Sequence, residues 1–230
     1  MNNFHFKPRH KTRQIRRLFD KISGSYDRNN IIISLGQTTI WRKRALSLAE
    51  FKGRVLDLGC GTGKAVEILK NKQNDLDITG LDISSRMLRK DISPLSVSLL
   101  LGDAVSLPFS DGSFDCLISF YTLRNLKNIE NTLDELLRCL KKGGQLLFLD
   151  AFPAGRGFIG SIHSLWLGKF VPLLPGIFTC RGAYKYLADS IARHTDKESF
   201  AILLESKGMK RIAVENYTFG FATAFLYRKT

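Results

Sequence analysis

The chain has 230 residues, enough for one well-buried domain, and its hydrophobic content of 44% is ordinary for a globular protein. No stretch holds the ~18 uninterrupted apolar residues of a membrane-spanning helix, and the basic N-terminus lacks the apolar run of a secretory signal. A formal net charge of +14 favours an anionic partner, either nucleic acid or an acidic membrane surface, without choosing between them.

Residues 1–17 carry Lys7, Arg9, Lys11, Arg13, Arg16 and Arg17 and no acid. Such a run is a solvated arm or a tether, each cation contributing about 1 kcal/mol beside an anionic membrane. Ile15, Leu18, Phe19 and Ile22 recur at helical spacing and predict a short amphipathic helix. The stretch from Phe19-Asp20 through Tyr26-Asp27, Asn30, Ser34, Gly36 and Trp41 predicts a helical cap, with Tyr26 and Asn30 offering polar tips. Residues 41–49 predict a further helix, apolar at Leu46, Leu48 and Ala49.

Val55 to Leu58 predicts a buried strand; Gly59-Cys60-Gly61-Thr62-Gly63 is a turn, and residues 65–70 predict a helix. Glycine at every second position lets the backbone take φ > 0 and lets a ligand approach without meeting a Cβ. Dinucleotide sites share this strand–turn–helix plan with the spacing G-x-G-x-x-G. Here the spacing is G-x-G-x-G, with Asp57 in the strand end. Asp57 suits an ammonium group and repels a phosphate, which points to the amino-acid end of S-adenosylmethionine (SAM).

Residues 78–82 predict the next strand, ending in Asp82 roughly 20 residues beyond the turn, where a ribose diol is gripped. Residues 99–104 predict a third, ending in Asp103, suited to accept from an adenine amino group. Ile83 and Ala104, beside these acids, are placed with them in the cofactor site. An acid after one strand is commonplace next to a helix cap, a role open here to Ser84. Three acid-ended strands around one glycine turn are much harder to obtain by chance. The arrangement from Arg54 to Asp150 resembles the class I SAM-dependent methyltransferases.

Residues 84–90 predict a second helix, and Pro94 marks a turn. Leu107-Pro108-Phe109 and Asp111-Gly112-Ser113 turn the chain into a fourth strand over 116–120, followed by Leu123-Arg124-Asn125. Read without context, Arg124 is a surface arginine paired with Glu130 or Asp134. Residues 131–140 predict an amphipathic helix stopped by Lys141-Lys142-Gly143-Gly144, and a strand follows over 145–150. Residues 152–178 are rich in Phe, Ile, Leu, Trp and Gly and are broken by Pro153, Pro172 and Pro175. A buried core helix or an interfacial segment has this composition, and an apolar lid over a greasy ligand, within an insertion spanning 152–195, fits the proline breaks better. A helix over 197–206, a Lys207-Gly208 stop and strands over 210–217 and 221–229 close the chain. Alternating strands and helices argue for an α/β fold with a doubly wound, mostly parallel sheet, whose ligands lie at the carboxyl ends of the strands. Cys60, Cys116, Cys139 and Cys180 show no C-x-x-C pair and read as reduced thiols of a cytoplasmic protein, with no metal site.

Three motifs resemble a narrower family, the quinone C-methyltransferases of menaquinone and ubiquinone biosynthesis. They are the Phe19-Asp20 to Trp41 series, Leu123-Arg124-Asn125, and Tyr184-x-Tyr186-Leu187-x-x-Ser190-Ile191 with His194 after it. The chain departs from that family at Thr38 and Thr39, where a histidine–arginine pair is usual. It departs again at Phe120, which takes the place of a serine, with Ser119 one residue earlier. The resemblance implies a Rossmann-like class I fold with seven strands and an antiparallel C-terminal hairpin, in a single domain over 1–230. Its residues 1–50 would form the cap and basic arm. It implies C-methylation of a prenylated quinol of the demethylmenaquinol type, with SAM as cofactor. Asp57, Gly59, Gly61, Thr62, Gly63, Asp82, Ile83, Asp103, Ala104, Ser119 and Phe120 would contact SAM. Arg124 would stabilise a phenolate, or polarise a water that takes its proton, with Asn125 and Tyr26 orienting ring oxygens. A homodimer and peripheral contact with an anionic membrane are open; nucleic acid is not expected. The alternatives are a methyltransferase of another acceptor, either tRNA or rRNA or a different isoprenoid or small molecule, and a SAM-binding scaffold without turnover, although no Asn-Pro-Pro-Tyr-type motif stands in the chain.

Overall fold

In the computed structural model, residues 10–88, 97–126, 128–153, 165, 166, 169 and 181–230 are described. Helix α1 (His10–Ile22), a 3₁₀ turn (Ser23–Ser25), α2 (Tyr26–Ile33) and α3 (Gln37–Leu48) precede the sheet. Then come β1 (Arg54–Leu58), α4 (Lys64–Lys72), β2 (Asp77–Asp82), β3 (Ser98–Leu101) and β4 (Phe114–Phe120). A 3₁₀ turn (Leu123–Asn125) leads to α5 (Ile129–Cys139) and β5 (Leu140–Ala151). Helices α6 (Arg181–Ala192) and α7 (Lys197–Ser206) and strands β6 (Met209–Tyr217) and β7 (Ala222–Lys229) complete the chain.

The seven strands lie in the order β3-β2-β1-β4-β5-β7-β6. β7 runs antiparallel to both β5 and β6, and the remaining pairs are parallel. Strand side chains alternate between the faces, so each face buries its own core. Leu56, Leu58, Leu117, Phe148 and Phe225 pack with Leu133 of α5 and Phe200 of α7. Val55, Ile118, Leu147 and Leu226 pack with Trp41 of α3 and Leu69 of α4. The chain reverses its direction of winding between β1 and β4, which opens a crevice at their carboxyl ends.

Four local expectations need correction. Residues 10–17 of the predicted basic arm belong to α1, whose apolar stripe packs inward. The third strand ends at Leu101, before Asp103, because the Asp103 carboxylate accepts from the Val105 N–H (3.3 Å) and turns the chain. Within the helix expected over 84–90, residues 85–87 form a turn in which the Ser84 hydroxyl accepts from the Met87 N–H at 3.2 Å, and residues 89 and 90 lie outside the described residues. Lys141 to Gly144 do not stop α5 in a loop. Leu140 pairs at once with Phe114 and Gln145 with Cys116, so 141–144 bulge out and Lys141 Nζ reaches Asp115 (2.8 Å). Residues 1–9, Pro94, Cys180 and most of the predicted lid lie outside the described residues.

Candidate active site

The turn after β1 floors a polar cleft of about 320 Å³ at the switch point. Asp57, Gly59, Gly61 and Thr62 line it, with Phe120 from β4, Arg42 from α3 and Tyr26 from α2. Gly59 and Gly61 have φ of +70° and +56°. A Cβ on Gly59 would lie 2.2 Å from Thr122 Oγ1, so glycine there is a packing necessity. At Gly61 the nearest atom is Met87 Cε at 3.2 Å, and the missing side chain leaves approach room for a ligand. Gly63 sits left-handed at the start of α4.

Asp57 is 1% exposed, and its Oδ2 has no hydrogen-bond partner. Burial, with Asp82 adding and Arg42 opposing, raises its pKa to about 7. A buried carboxylate oxygen without a donor, at the wall of a cleft, fits an ammonium group. Asp82 holds the glycine turn, accepting from the N–H groups of Gly61 (2.9 Å) and Ser84 (2.8 Å). Burial raises its pKa to about 6, against those backbone donors. Ile83 and Ala104 flank the strand ends with Asp82 and the half-buried Asp103, outside the cleft lining. Ser119 does not face the cleft either. Alternation along β4 turns it under the loop, where its hydroxyl donates to the Leu58 carbonyl (3.0 Å).

Helices α1 and α2 are tied to these loops by two carboxylates. Thr62 Oγ1 donates to Asp27 Oδ1 (2.8 Å) and Ser84 Oγ to Asp20 Oδ1 (2.5 Å). Tyr26, between them, also lines a second cavity of about 500 Å³. Its walls are Leu18, Phe19 and Ile22 of α1, Ile33 of α2 and Leu187 of α6. Its polar groups include Tyr26, Arg124, Asn125 and Tyr186. Tyr186 donates to Asn125 Oδ1 (2.9 Å), and Asn125 Nδ2 donates to the Tyr121 carbonyl (3.2 Å).

Arg124 is ion-paired to the fully buried Asp150 at the end of β5, which also accepts from the N–H groups of Arg124 (3.3 Å) and Ala151 (2.8 Å). Burial works against the guanidinium charge, and Asp150, Tyr26 and Tyr186 outweigh it, so its pKa lies above the ordinary arginine value. Arg124 Nε is buried without a partner. The Tyr121 ring lies 5.0 Å from the Arg42 guanidinium and 5.9 Å from that of Arg124. His194 stacks on Phe152 at 4.6 Å; burial, with Arg124 adding and Asp150 opposing, lowers its pKa.

The structure thus brings Tyr26, Arg124 and Asn125 into one cavity, and Asp57, Gly59, Gly61, Thr62 and Phe120 into the adjoining cleft. Arg124 is not the surface arginine of the context-free reading. Sequence reasoning missed Arg42, Asp150 and Thr122. Asp150 carried a usable signal, being a further acid at a strand end; Arg42 and Thr122 carried none. Among the described residues no group of three or more His, Cys, Asp or Glu side chains could hold a metal, and no helix is long and apolar enough to cross a membrane.

A family model described as the ubiE/COQ5 methyltransferase family matches residues 7–229. The chain belongs to this family. Within it, a demethylmenaquinone methyltransferase of Thermotoga maritima is 37% identical over 215 residues, covering 91% of this chain and 93% of the relative. A ubiquinone/menaquinone biosynthesis C-methyltransferase of Campylobacter jejuni is 34% identical, covering 95% of this chain and 99% of the relative. Among solved structures, a SAM-dependent methyltransferase from Thermotoga maritima matches with a TM-score of 0.66 at 22% identity, covering 93% of this chain and 99% of that one. The [4+2]-cyclase SpnF matches with a TM-score of 0.68 at 16% identity, covering 95% and 96%. That the fold is shared with a cyclase means the site, and not the fold, must argue for the reaction of this family member.

Proposed function

We propose that the chain is a single methyltransferase domain that binds SAM in the polar cleft and methylates a ring carbon of a prenylated, demethylmenaquinol-type quinol in the apolar cavity. The observation that carries this is Tyr26, the common wall of a cleft built for an ammonium group and a cavity built for an apolar molecule with a polar head. Asp57 holds the ammonium, Gly59 and Gly61 give the backbone approach, and Asp82, Ile83, Asp103 and Ala104 flank the nucleoside side. When bound, SAM supplies an activated methyl group on its sulfonium.

Arg124 is a poor base because its guanidinium keeps its proton, the more so beside Asp150. Its role is electrostatic: as the quinol hydroxyl gives its proton to water, the preorganised guanidinium stabilises the phenolate that makes the ring carbon nucleophilic. Asn125, fixed by Tyr186, and Tyr26 orient the ring oxygens. The walls take the first part of a prenyl tail, each buried CH₂ contributing about 0.8 kcal/mol. Such a tail places the enzyme beside the cytoplasmic face of a membrane, as a peripheral protein.

Transfer of radiolabelled methyl from SAM to a reduced demethylmenaquinone analogue, with bulk tRNA in a parallel tube, tests the reading. Label is expected in the quinol fraction, and lost in Arg124→Ala with SAM affinity unchanged. Label in the RNA alone would overturn it.

A further inference from the structure

Two tight turns on this molecule hold a large apolar side chain out into solvent on a strained backbone. Leu35, between α2 and α3, is 70% exposed with φ +51°; Phe219, between β6 and β7, is 81% exposed with φ +55°. Left-handed backbone is costly for residues with a Cβ, and Leu and Phe gain nothing in water that offsets it. Glycine or asparagine would serve either turn better. The turn that holds Phe219 is tied to α3, because the indole N–H of Trp41, six residues after Leu35, donates to Thr218 Oγ1 (3.2 Å).

The exposed positions of α2 and α3 have the same character. Helix α2 points Tyr26, Asn29, Asn30 and Ile33 into the apolar cavity and carries Arg28 and Ile31 on its exposed side, with Leu35 two residues past its end. Helix α3 adds the exposed Ile40 and Lys43. Arg28 and Lys43 enter no ion pair among the described residues. One short helix therefore separates the cavity from an outer face of protruding apolar tips set among unpaired cations. That combination of apolar tips and cations is what an anionic bilayer interface recognises, and a net charge of +14 agrees with it.

We infer that Leu35 and Phe219 are prongs that seat the cap on an anionic membrane, with Ile31 and Ile40 entering the interface and Arg28 and Lys43 meeting lipid head groups. The surface deepens the proposed function, on which it rests only for what the docked enzyme would withdraw from the bilayer. Binding to vesicles of phosphatidylcholine, with and without phosphatidylglycerol, is measured by co-sedimentation without SAM or quinol. Asparagine tolerates left-handed backbone, so Leu35→Asn with Phe219→Asn removes the prongs without stressing the fold.

The wild-type chain should sediment with the anionic vesicles. The double variant should bind about a hundredfold more weakly, about tenfold for each side chain withdrawn. Its circular dichroism and its turnover of a short-tailed, water-soluble quinol should match the wild type. Arg28→Glu with Lys43→Glu should abolish the preference for anionic over neutral vesicles. Undiminished vesicle binding by the double variant would overturn the inference. So would a wild-type chain that ignores vesicles and forms a dimer that the double variant dissociates, which would make this face a self-interface. A protein that binds vesicles through the prongs and leaves every quinol unmethylated would keep this surface and refute the substrate reading instead.

Discussion

Arg124 and Asp150 form a buried ion pair across the carboxyl ends of β4 and β5, and the guanidinium that faces the apolar cavity is held from below by a carboxylate with no exposure at all. Removing one partner of such a pair leaves an uncompensated charge. Asp150→Ala should destabilise the fold by about 3–5 kcal/mol, read from urea denaturation. Asp150→Asn keeps the shape but loosens the guanidinium, and should lower turnover at least about tenfold with SAM affinity unchanged. Normal turnover in Asp150→Asn would remove Asp150 from any positioning role.

Asp57 and Asp82 give the protein a defined pH response. Both carboxyls are more protonated in the folded chain than in the unfolded one, with pKa values raised to about 7 and about 6. Folding therefore binds protons between about pH 4 and 7, and the associated stability is lost as pH rises through those values. Without ligand, the melting temperature should fall from pH 5 to pH 8, and Asp57→Asn should flatten that slope. An ammonium group needs ionised Asp57, so SAM affinity should rise toward pH 7 and then level. Calorimetry at pH 6 in two buffers of different ionisation enthalpy should show proton release on binding; proton uptake would contradict the assignment.

Gly59 and Gly61 should fail differently when changed to alanine. At Gly59 the new Cβ meets Thr122 Oγ1 at 2.2 Å and Cβ at 2.9 Å, so the loop must move and the protein should lose at least ~2 kcal/mol of stability. At Gly61 the neighbour is the flexible end of Met87, so the fold should lose only ~1–2 kcal/mol of left-handed strain. Ligand approach is nonetheless blocked, and SAM binding should fall more than tenfold. Equilibrium denaturation beside SAM titration separates the two.

The tie between Thr62 and Asp27 couples the cap to the cleft. Thr62→Val keeps the shape and removes the donor. A hydrogen bond to a charged group is worth about 1.5–3 kcal/mol, so SAM should dissociate roughly tenfold faster in stopped-flow experiments. An unchanged rate would mean that the cap does not govern cofactor release.

Strand and helix positions were largely legible because β1, β2, β4 and β5 are aliphatic runs bounded by turns, and α5 and α7 carry clear apolar stripes. Leu99 to Asp103 misled because the apolar run continues past the point where the Asp103 side chain captures the Val105 N–H. Lys141 to Gly144 misled because a bulge and a helix stop use the same residues. In the site, Asp57 and the glycines could be picked out by spacing, and Arg124 by the resemblance of Leu123-Arg124-Asn125 to the family motif. What could not be read is what lies behind them. The Arg42 guanidinium near Asp57 and Tyr121, and the Thr122 methyl and hydroxyl over Gly59, depend on contacts between segments far apart in sequence.

The proposed reaction leaves the methyl group on ring carbon. The most direct measurement is carbon-13 NMR of the product formed from SAM labelled in its methyl group and a reduced demethylmenaquinone analogue. A labelled methyl bonded to an aromatic carbon is expected, with loss of the proton that carbon carried, at a rate that collapses in Arg124→Ala. A labelled methoxy carbon, or a C-methyl product formed at full rate by Arg124→Ala, would contradict it.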